Sequence, residues 1–367
     1  MGSAPAARPA GHLYFVNAPV DYLMIGGASL ALCVVLWAFG ATLRSPLAIV
    51  IAANLQWIVN WPHFSATNWR LYHRRENIAM FPVTALVVPV LVCLGAAASF
   101  SWPEDVAPYF VKLFLLWSPY HFSGQTVGIT MIYARRAGFP VGTRERSALS
   151  AFVFGTFILQ TARYEVGGNS KFWGVTFPSF GLPPWVGDAA LAGLWIAGVA
   201  FAVFVARWCL RERRMVPPIV LLPAASQFVW FVLGRNVLSF AEFVPFFHSL
   251  QYMLIAWSLQ LKERVDLGRA EPSPRFVVSE STRWLAANVV GGGILFYALP
   301  RLCGGAGLAD AAPPFAAGVV LAAVQIHHFF VDGVIWKLKD PRVSSPLMVN
   351  IEEMWRPRSA PVLAAAA

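Results

Sequence analysis

The residues of this sequence best suited to do chemistry are five histidines that lie within apolar stretches of the chain. The segments NWPHFSATNW, WSPYHFSGQ, FFHSLQYM and QIHHFFVDGVIWK contain His63, His121, His248 and the pair His327 and His328. An ionisable side chain is costly at membrane depth, so it faces a bundle interior, a cavity or a cofactor. Because imidazole binds iron, copper and zinc, these histidines predict a transition-metal site.

Four of these histidines share a helical face with other polar side chains, because residues three or four positions apart lie on one face of a helix. In chain order the stripes are Gln56, Asn60, His63 and Thr67; His121 and Gln125; His248 and Gln251; Gln325, His328 and Asp332. Asp332 is spaced to orient a histidine or to bind metal directly, and Gln125 is a second candidate catalytic group. Interhelical hydrogen bonding without metal is the alternative explanation.

Aromatic residues flank the histidines in the same segments. Trp61, Trp117, Tyr120, Tyr252 and Phe329 are expected to line a dry pocket for a lipophilic substrate, with ordinary packing as the alternative.

The elements that must position these residues are membrane helices. Of 367 residues, 57% are hydrophobic and 13% are charged, whereas soluble domains carry about 25% charged residues. Spanning the hydrocarbon takes about 20 apolar residues, and we expect spans at 22–43, 46–69, 79–100, 107–133, 148–161, 184–206, 217–233, 243–261, 284–302 and 314–336. The sequence therefore predicts an all-α, polytopic membrane helix bundle of about ten transmembrane helices. It forms one domain over 21–340, with tails at 1–20 and 341–367.

The basic residues alternate between rich and poor connections. Of the 28 lysines and arginines, 22 lie in the tails and in every second connection, and the opposite connections carry only Arg44, Arg163, Lys171, Arg235 and Arg301. Since cytoplasmic loops carry the excess of basic residues, both termini are predicted to be cytoplasmic. This topology accounts for the net charge of +10 without nucleic-acid binding. It favours the bacterial inner membrane, with membrane lipid as a partner.

In this topology the four helices with polar stripes run in one direction, but the depths of their histidines differ. His121 and His248 each lie 14 positions before the next basic residue, whereas His63 lies seven and His328 nine positions before it. At about 1.5 Å per residue, these spacings correspond to depths of about 21 Å and about 10–14 Å. One site and two layers of histidines are both compatible with these depths.

Single histidines dispersed over separate membrane helices resemble the histidine-ligated membrane iron oxygenases, such as the Brp/Blh-type carotene dioxygenases. The resemblance rests on this architecture and on His63, His121, His248 and His328, without a residue-by-residue motif; the desaturase boxes HxxxH and HxxHH are absent. It implies a non-haem iron oxygenase that oxidises a lipophilic substrate of isoprenoid or lipid-like class. An electron donor would be a further partner.

Two other functions fit the same residues. Paired histidines on facing helices also hold haem b in electron-transfer proteins. A proton-coupled transporter would use Asp332, Arg163, Arg235 and the histidines as a relay, although the two halves of the chain show no convincing repeat. Among the remaining charged residues, Lys112 is expected to extend outward to the interface.

Overall fold

The computed structural model describes residues 13–39, 46–139, 141–237, 239–308, 310–336 and 350–355. Within these residues the chain forms ten long helices: Ala18–Ala38 (α1), 46–72 (α2), Val83–Ser101 (α3), Ala107–Arg136 (α4), Thr143–Glu165 (α5), Trp185–Glu212 (α6), Pro218–Asn236 (α7), Phe240–Asp266 (α8), Pro274–Cys303 (α9) and Pro314–Ile335 (α10). Short helices occupy Arg75–Met80 and Glu352–Trp355, and Ser170–Phe172 (β1) pairs antiparallel with Val175–Phe177 (β2). Each predicted apolar stretch overlaps one long helix.

Six of these helices, α1, α3, α6, α7, α9 and α10, are long and apolar enough to cross a membrane. Of the remaining four, α2, α4 and α8 carry polar stripes that were predicted around histidines. The outer surface is strongly apolar: on α6, for example, Trp195 is 62% and Ile196 is 72% exposed. Isolated apolar residues are normal on soluble proteins, but long apolar helices with such outward faces are those of an integral membrane protein.

Helix α8 forms the centre of the bundle, since its side chains are buried along most of its length from Phe240 to Val265. It packs against α1, α2 and α9, while α10 packs against α2, α3 and α4. Helix α9 begins at Pro274, earlier than the predicted 284, because the Ser273 side chain caps it by accepting a hydrogen bond from Phe276 N at 3.2 Å.

Turns of π-helix interrupt several long helices, and two of them adjust the packing around the interior. In α1 the turn Leu23–Gly27 brings Gly26 against α7, where an added Cβ would lie 1.9 Å from Ser226 Oγ, so only glycine fits. In α2 the turn Gln56–Asn60 lies just before His63. Such turns change the register of the faces that follow them and are frequent at functional sites.

The two ends of the described chain meet at the same end of the bundle. Phe15 O accepts a hydrogen bond from Ile351 N at 2.7 Å, and Phe15 N donates to Asp21 Oδ2 at 2.7 Å. Tyr133, near the end of α4, also donates to Asp21 Oδ2 at 2.7 Å. The segments before α1 and after α10 therefore lie together beside the end of α4. Of the predicted tails, the structure describes 13–20 and 350–355, and the other tail residues lie outside the described ranges.

The connection between α5 and α6 is fastened by a buried ion pair. Lys112 Nζ lies 2.8 Å from Glu165 Oε2 and 2.6 Å from Pro178 O, and Phe180 N donates to the same Glu165 oxygen at 2.6 Å. Lys112 is 4% exposed, so the expectation that it extends outward is wrong. The carboxylate partner on α5 makes the inward position favourable, because it compensates the buried charge.

Candidate metal centre

Four helices each bring one histidine into the bundle interior, where every ring lies next to two of the others in a four-membered circuit. Around the circuit His63–His328–His121–His248, neighbouring ring centroids are 4.5, 4.8, 5.2 and 5.3 Å apart. Rings that each bind one metal ion through a single nitrogen have centroids about 4.5–5.2 Å apart, given nitrogen–metal bonds of about 2.0–2.1 Å. The histidines that the sequence assigned to two depths thus lie in one continuous cluster.

The four helices run in the same direction where they meet. Between α2 and α8, His63 contacts Ser249 and, one turn later on both helices, Thr67 contacts Tyr252. Contacts advance in the same order between α2 and α10 and between α4 and α8. Parallel helices therefore supply all four rings, as expected if helices of one direction carry the polar stripes.

Two imidazoles and one carboxylate converge on a single point. His121 Nε2 and His328 Nε2 are 3.2 Å apart, and Asp332 Oδ2 lies 3.5 Å from the His328 atom and 3.7 Å from the His121 atom. The point equidistant from three atoms at these separations is about 2.0 Å from each, which matches the usual lengths of metal bonds to histidine and carboxylate. The separations of these three side chains are therefore compatible with one metal ion bound by all of them.

A second group of nitrogens adjoins the first and shares His328 with it. One ligand atom from each of His63, His248 and His328 lies within 4.8 Å of the others. His63 Nε2, both nitrogens of His248 and His328 Nδ1 are buried and have no hydrogen-bond partner. Buried polar atoms normally have partners. A neutral imidazole has one N–H and one lone pair, so the unpartnered nitrogens include both donors and acceptors, and the lone pairs among them are available to a ligand.

Hydrogen bonds hold the Asp332 carboxylate in this orientation. Its Oδ1 atom accepts from Thr67 Oγ1 at 3.2 Å and from Trp336 Nε1 at 3.3 Å, which leaves Oδ2 directed at the histidines. Thr67 also lies 2.8 Å from the Tyr252 hydroxyl. Because a hydroxyl has one hydrogen, Thr67 donates to the carboxylate and accepts from Tyr252. The carboxylate is thereby oriented before any metal binds.

Aromatic rings enclose the cluster. Each histidine packs against one of them: Tyr252 on His63 at 4.1 Å, Phe329 on His121 at 4.8 Å, Phe122 on His248 at 3.8 Å and Phe64 on His328 at 4.6 Å between centroids. These walls exclude water and lower the local polarity, which strengthens electrostatic interactions at the centre.

The aromatic residues that were predicted to line the pocket lie at different distances from the histidines. Tyr252 and Phe329 contact the histidines directly, whereas Trp117 packs on Phe329 at 5.7 Å. Trp61 stacks on Phe296 of α9 at 5.8 Å, and Tyr120 is 50% exposed and packs on Phe154 at 5.3 Å. Trp61 and Tyr120 therefore lie towards the outside of the bundle.

His327 was predicted to belong to the metal site and Gln125 to be a catalytic group, and both contact other residues instead. His327 Nε2 lies 3.2 Å from the Tyr72 hydroxyl, on a different face of α10 from His328, and it belongs to neither group of ligand atoms. Gln125 Nε2 donates to the backbone oxygen of His248 at 3.0 Å and lies 3.4 Å from Gln251 Oε1. Gln125 thus connects α4 to α8 next to the histidine cluster.

Sequence reasoning missed two residues of the centre: Ser249 and Trp336. Trp336 follows Asp332 by four positions, so helical spacing could have identified it. Ser249 adjoins His248 in the chain and contacts His63 across a helix interface, which spacing within one helix does not reveal.

Comparisons of the chain with protein-family models, with curated proteins and with solved structures found no match.

Proposed function

We propose that this protein is a membrane-embedded, histidine-ligated metalloenzyme, a non-haem iron oxygenase that oxidises a lipophilic substrate of isoprenoid or lipid-like class. One observation carries the proposal, namely the convergence of His121 Nε2, His328 Nε2 and Asp332 Oδ2 at separations of 3.2–3.7 Å. Two histidines and one carboxylate with open positions are the ligand set of non-haem Fe(II) oxygenases. His63 and His248 are further ligand candidates.

In this proposal all ten helices span the bacterial inner membrane and both termini are cytoplasmic. The six apolar helices and the contact between Phe15 and Ile351 support it, because chain ends on the same side require an even number of spans. The distribution of basic residues selects the cytoplasmic side. A substrate dissolved in the bilayer would reach the centre laterally, and an electron donor would be a further partner.

The chain's own residues prepare the site for this chemistry. A bound iron ion would supply dioxygen activation, as a metal with open coordination positions does. Thr67 and Trp336 keep the Asp332 carboxylate turned towards the histidines. Phe122 and Phe329 cover the imidazoles of His248 and His121 and keep water away, which limits side reactions.

The packing supports a compact ion more strongly than haem b. Axial histidines bind on opposite faces of a haem, so their nitrogens lie about 4 Å apart with the macrocycle between them. His121 Nε2 and His328 Nε2 are 3.2 Å apart, and aromatic rings pack closely on the other two histidines, Phe122 on His248 at 3.8 Å and Tyr252 on His63 at 4.1 Å between centroids. A proton-coupled transporter remains the alternative if the protein binds no metal.

The test is metal analysis and an optical spectrum of detergent-purified protein, with His121→Ala and His328→Ala as variants. His327→Ala is the matched control, since it removes the adjacent histidine of the same helix. We expect stoichiometric iron without a Soret band in the wild type and the control, and loss of iron in both test variants. A Soret band would establish haem instead, and wild-type protein without transition metal would leave the transporter.

A further inference from the structure

We propose that Asn60 and Ser249 form a relay that fixes the tautomer of His63, so that His63 binds a metal ion, in the group with His248 and His328, through Nε2. The inference rests on the proposed metal centre and assigns to Ser249, which no sequence pattern singled out, the role of a positioning residue. It also specifies which nitrogen of one ligand faces the ion.

The relay consists of two short hydrogen bonds between buried side chains. Ser249 Oγ donates to Asn60 Oδ1 at 2.6 Å, and Ser249 Oγ lies 2.8 Å from His63 Nδ1. A serine hydroxyl carries one hydrogen, which is used on Asn60, so the serine oxygen accepts from His63 Nδ1–H. A neutral imidazole protonated at Nδ1 has its lone pair at Nε2.

The surroundings of His63 Nε2 support the same tautomer. This atom is buried, lacks a hydrogen-bond partner and belongs to a side chain that packs between the rings of Tyr252 and His328. The opposite tautomer would leave an N–H donor unpaired in this apolar enclosure, which is costly. Ser249 also occupies the approach to Nδ1, so Nε2 is the nitrogen available to an ion.

The relay affects metal affinity as well as geometry. A ligand histidine that donates through its other nitrogen keeps its ring orientation and becomes a stronger base, and removal of the partner typically weakens metal binding about 10–100-fold. Asn60, one turn before His63 on α2, anchors Ser249 of α8, so the relay also holds two of the ligand-bearing helices in register.

The experiment compares metal affinity in Ser249→Ala, Ser249→Thr and Ser258→Ala, by titration of metal-free full-length protein with Co²⁺. Ser258 is an equally buried serine of α8 whose hydroxyl donates to Leu254 O of its own helix at 2.7 Å, which makes it the matched control. We expect 10–100-fold weaker binding for the alanine variant at position 249. The threonine variant, which keeps the hydroxyl, should recover most of the affinity, and the control should equal the wild type.

A second measurement separates positioning from general damage to the fold. In protein loaded with Cu²⁺, electron spin echo modulation reports the remote nitrogen of each coordinated imidazole, and its quadrupole coupling changes when the hydrogen bond at that nitrogen is lost. We expect the remote-nitrogen signal of one histidine to change in Ser249→Ala and in Asn60→Leu, but not in Ser258→Ala. Asn60→Leu keeps the test available if the alanine variant at position 249 does not fold.

The outcomes distinguish the relay from the metal centre itself. If wild-type protein binds neither Co²⁺ nor Cu²⁺, the proposed function fails and the relay fails with it. If wild-type protein binds metal and both relay variants retain its affinity and its remote-nitrogen signal, the relay alone is overturned.

Discussion

Replacing Asp332 with asparagine distinguishes two explanations of the histidine cluster, a metal centre and a metal-free network of hydrogen bonds. The substitution keeps the shape of the side chain, but Thr67 Oγ1 and Trp336 Nε1 both donate to the Oδ1 position. These donors will hold the amide oxygen there and turn the amide NH₂ towards His121 Nε2 and His328 Nε2, where the carboxylate oxygen was. An amide NH₂ is not a metal ligand, so one of three converging ligands is lost together with its negative charge.

The magnitude follows from this geometry. Loss of a hydrogen-bonding partner of a ligand costs about 10–100-fold in metal affinity, so loss of the ligand itself should cost at least about 100-fold, or about 2.8 kcal/mol. Without metal, the new NH₂ group can donate to His328 Nε2, which lies 3.5 Å from that position. The metal-free Asp332→Asn variant should therefore unfold at the same temperature as the metal-free wild type, or higher.

The assay combines metal content after dialysis with thermal unfolding of the metal-free protein in detergent. Asp188→Asn is the control, because Asp188 is an exposed carboxylate on α6. Unchanged metal content in Asp332→Asn would refute the assignment of the carboxylate as a ligand. A lower unfolding temperature without metal, together with unchanged metal content, would instead identify Asp332 as a purely structural acceptor.

Three further predictions follow from the described contacts. Thr67→Val should weaken metal binding about 10-fold, measured by Co²⁺ titration, because Asp332 Oδ1 loses a donor while the volume is kept. Glu165→Gln should destabilise the protein by about 3–5 kcal/mol in denaturant unfolding, since it leaves the Lys112 charge buried without a counter-charge. Glu145→Gln, which breaks a half-exposed pair, should cost about 0–1 kcal/mol. Metal removal by a chelator should lower the unfolding temperature of the wild type but not that of His328→Ala, because the ion stabilises only the folded state.

Much of the architecture was predictable because long runs of apolar residues in the sequence encode membrane helices. All ten predicted stretches overlap long helices, and the polar stripes identified Thr67, Asn60 and Asp332 as neighbours of histidines. The stripes were informative because a polar side chain in an apolar helix must find a partner across the interior. That the four helices run parallel to one another followed from the alternation of basic residues, and their contacts agree with this.

The depths of the histidines were less predictable. Counting from the next basic residue assumes that each helix meets the membrane surface at that residue, but α4 continues through Arg135 and Arg136, and α8 continues past Lys262 to Asp266. Long basic side chains can place their charge at the surface from several ångströms away. The counted depths therefore separated His121 and His248 from the other two histidines, whereas the structure brings all four rings together.

The choice between His327 and His328 shows what helical spacing can decide. Neighbouring residues of a helix point about 100° apart, so one narrow interior face cannot take both side chains. Asp332 lies four positions after His328 and on its face, which already favoured His328 as the inward residue. The structure agrees, with His328 1% exposed beside His121 and with His327 against Tyr72.

The centre joins residues that are far apart in the chain, and this separation bears on how the fold is held. His63 and His328 come from α2 and α10, with most of the chain between them, yet their rings lie 4.5 Å apart. Hydrogen bonds connect α2 to α8 and α4 to α8, but the buried nitrogens of His248 remain without partners. Burying those groups unpaired costs free energy, and a metal ion that accepts the one lone pair of the neutral imidazole would offset part of that cost in the folded state. The same ligand atoms that would bind the catalytic metal would thus also stabilise the packing of the four parallel helices.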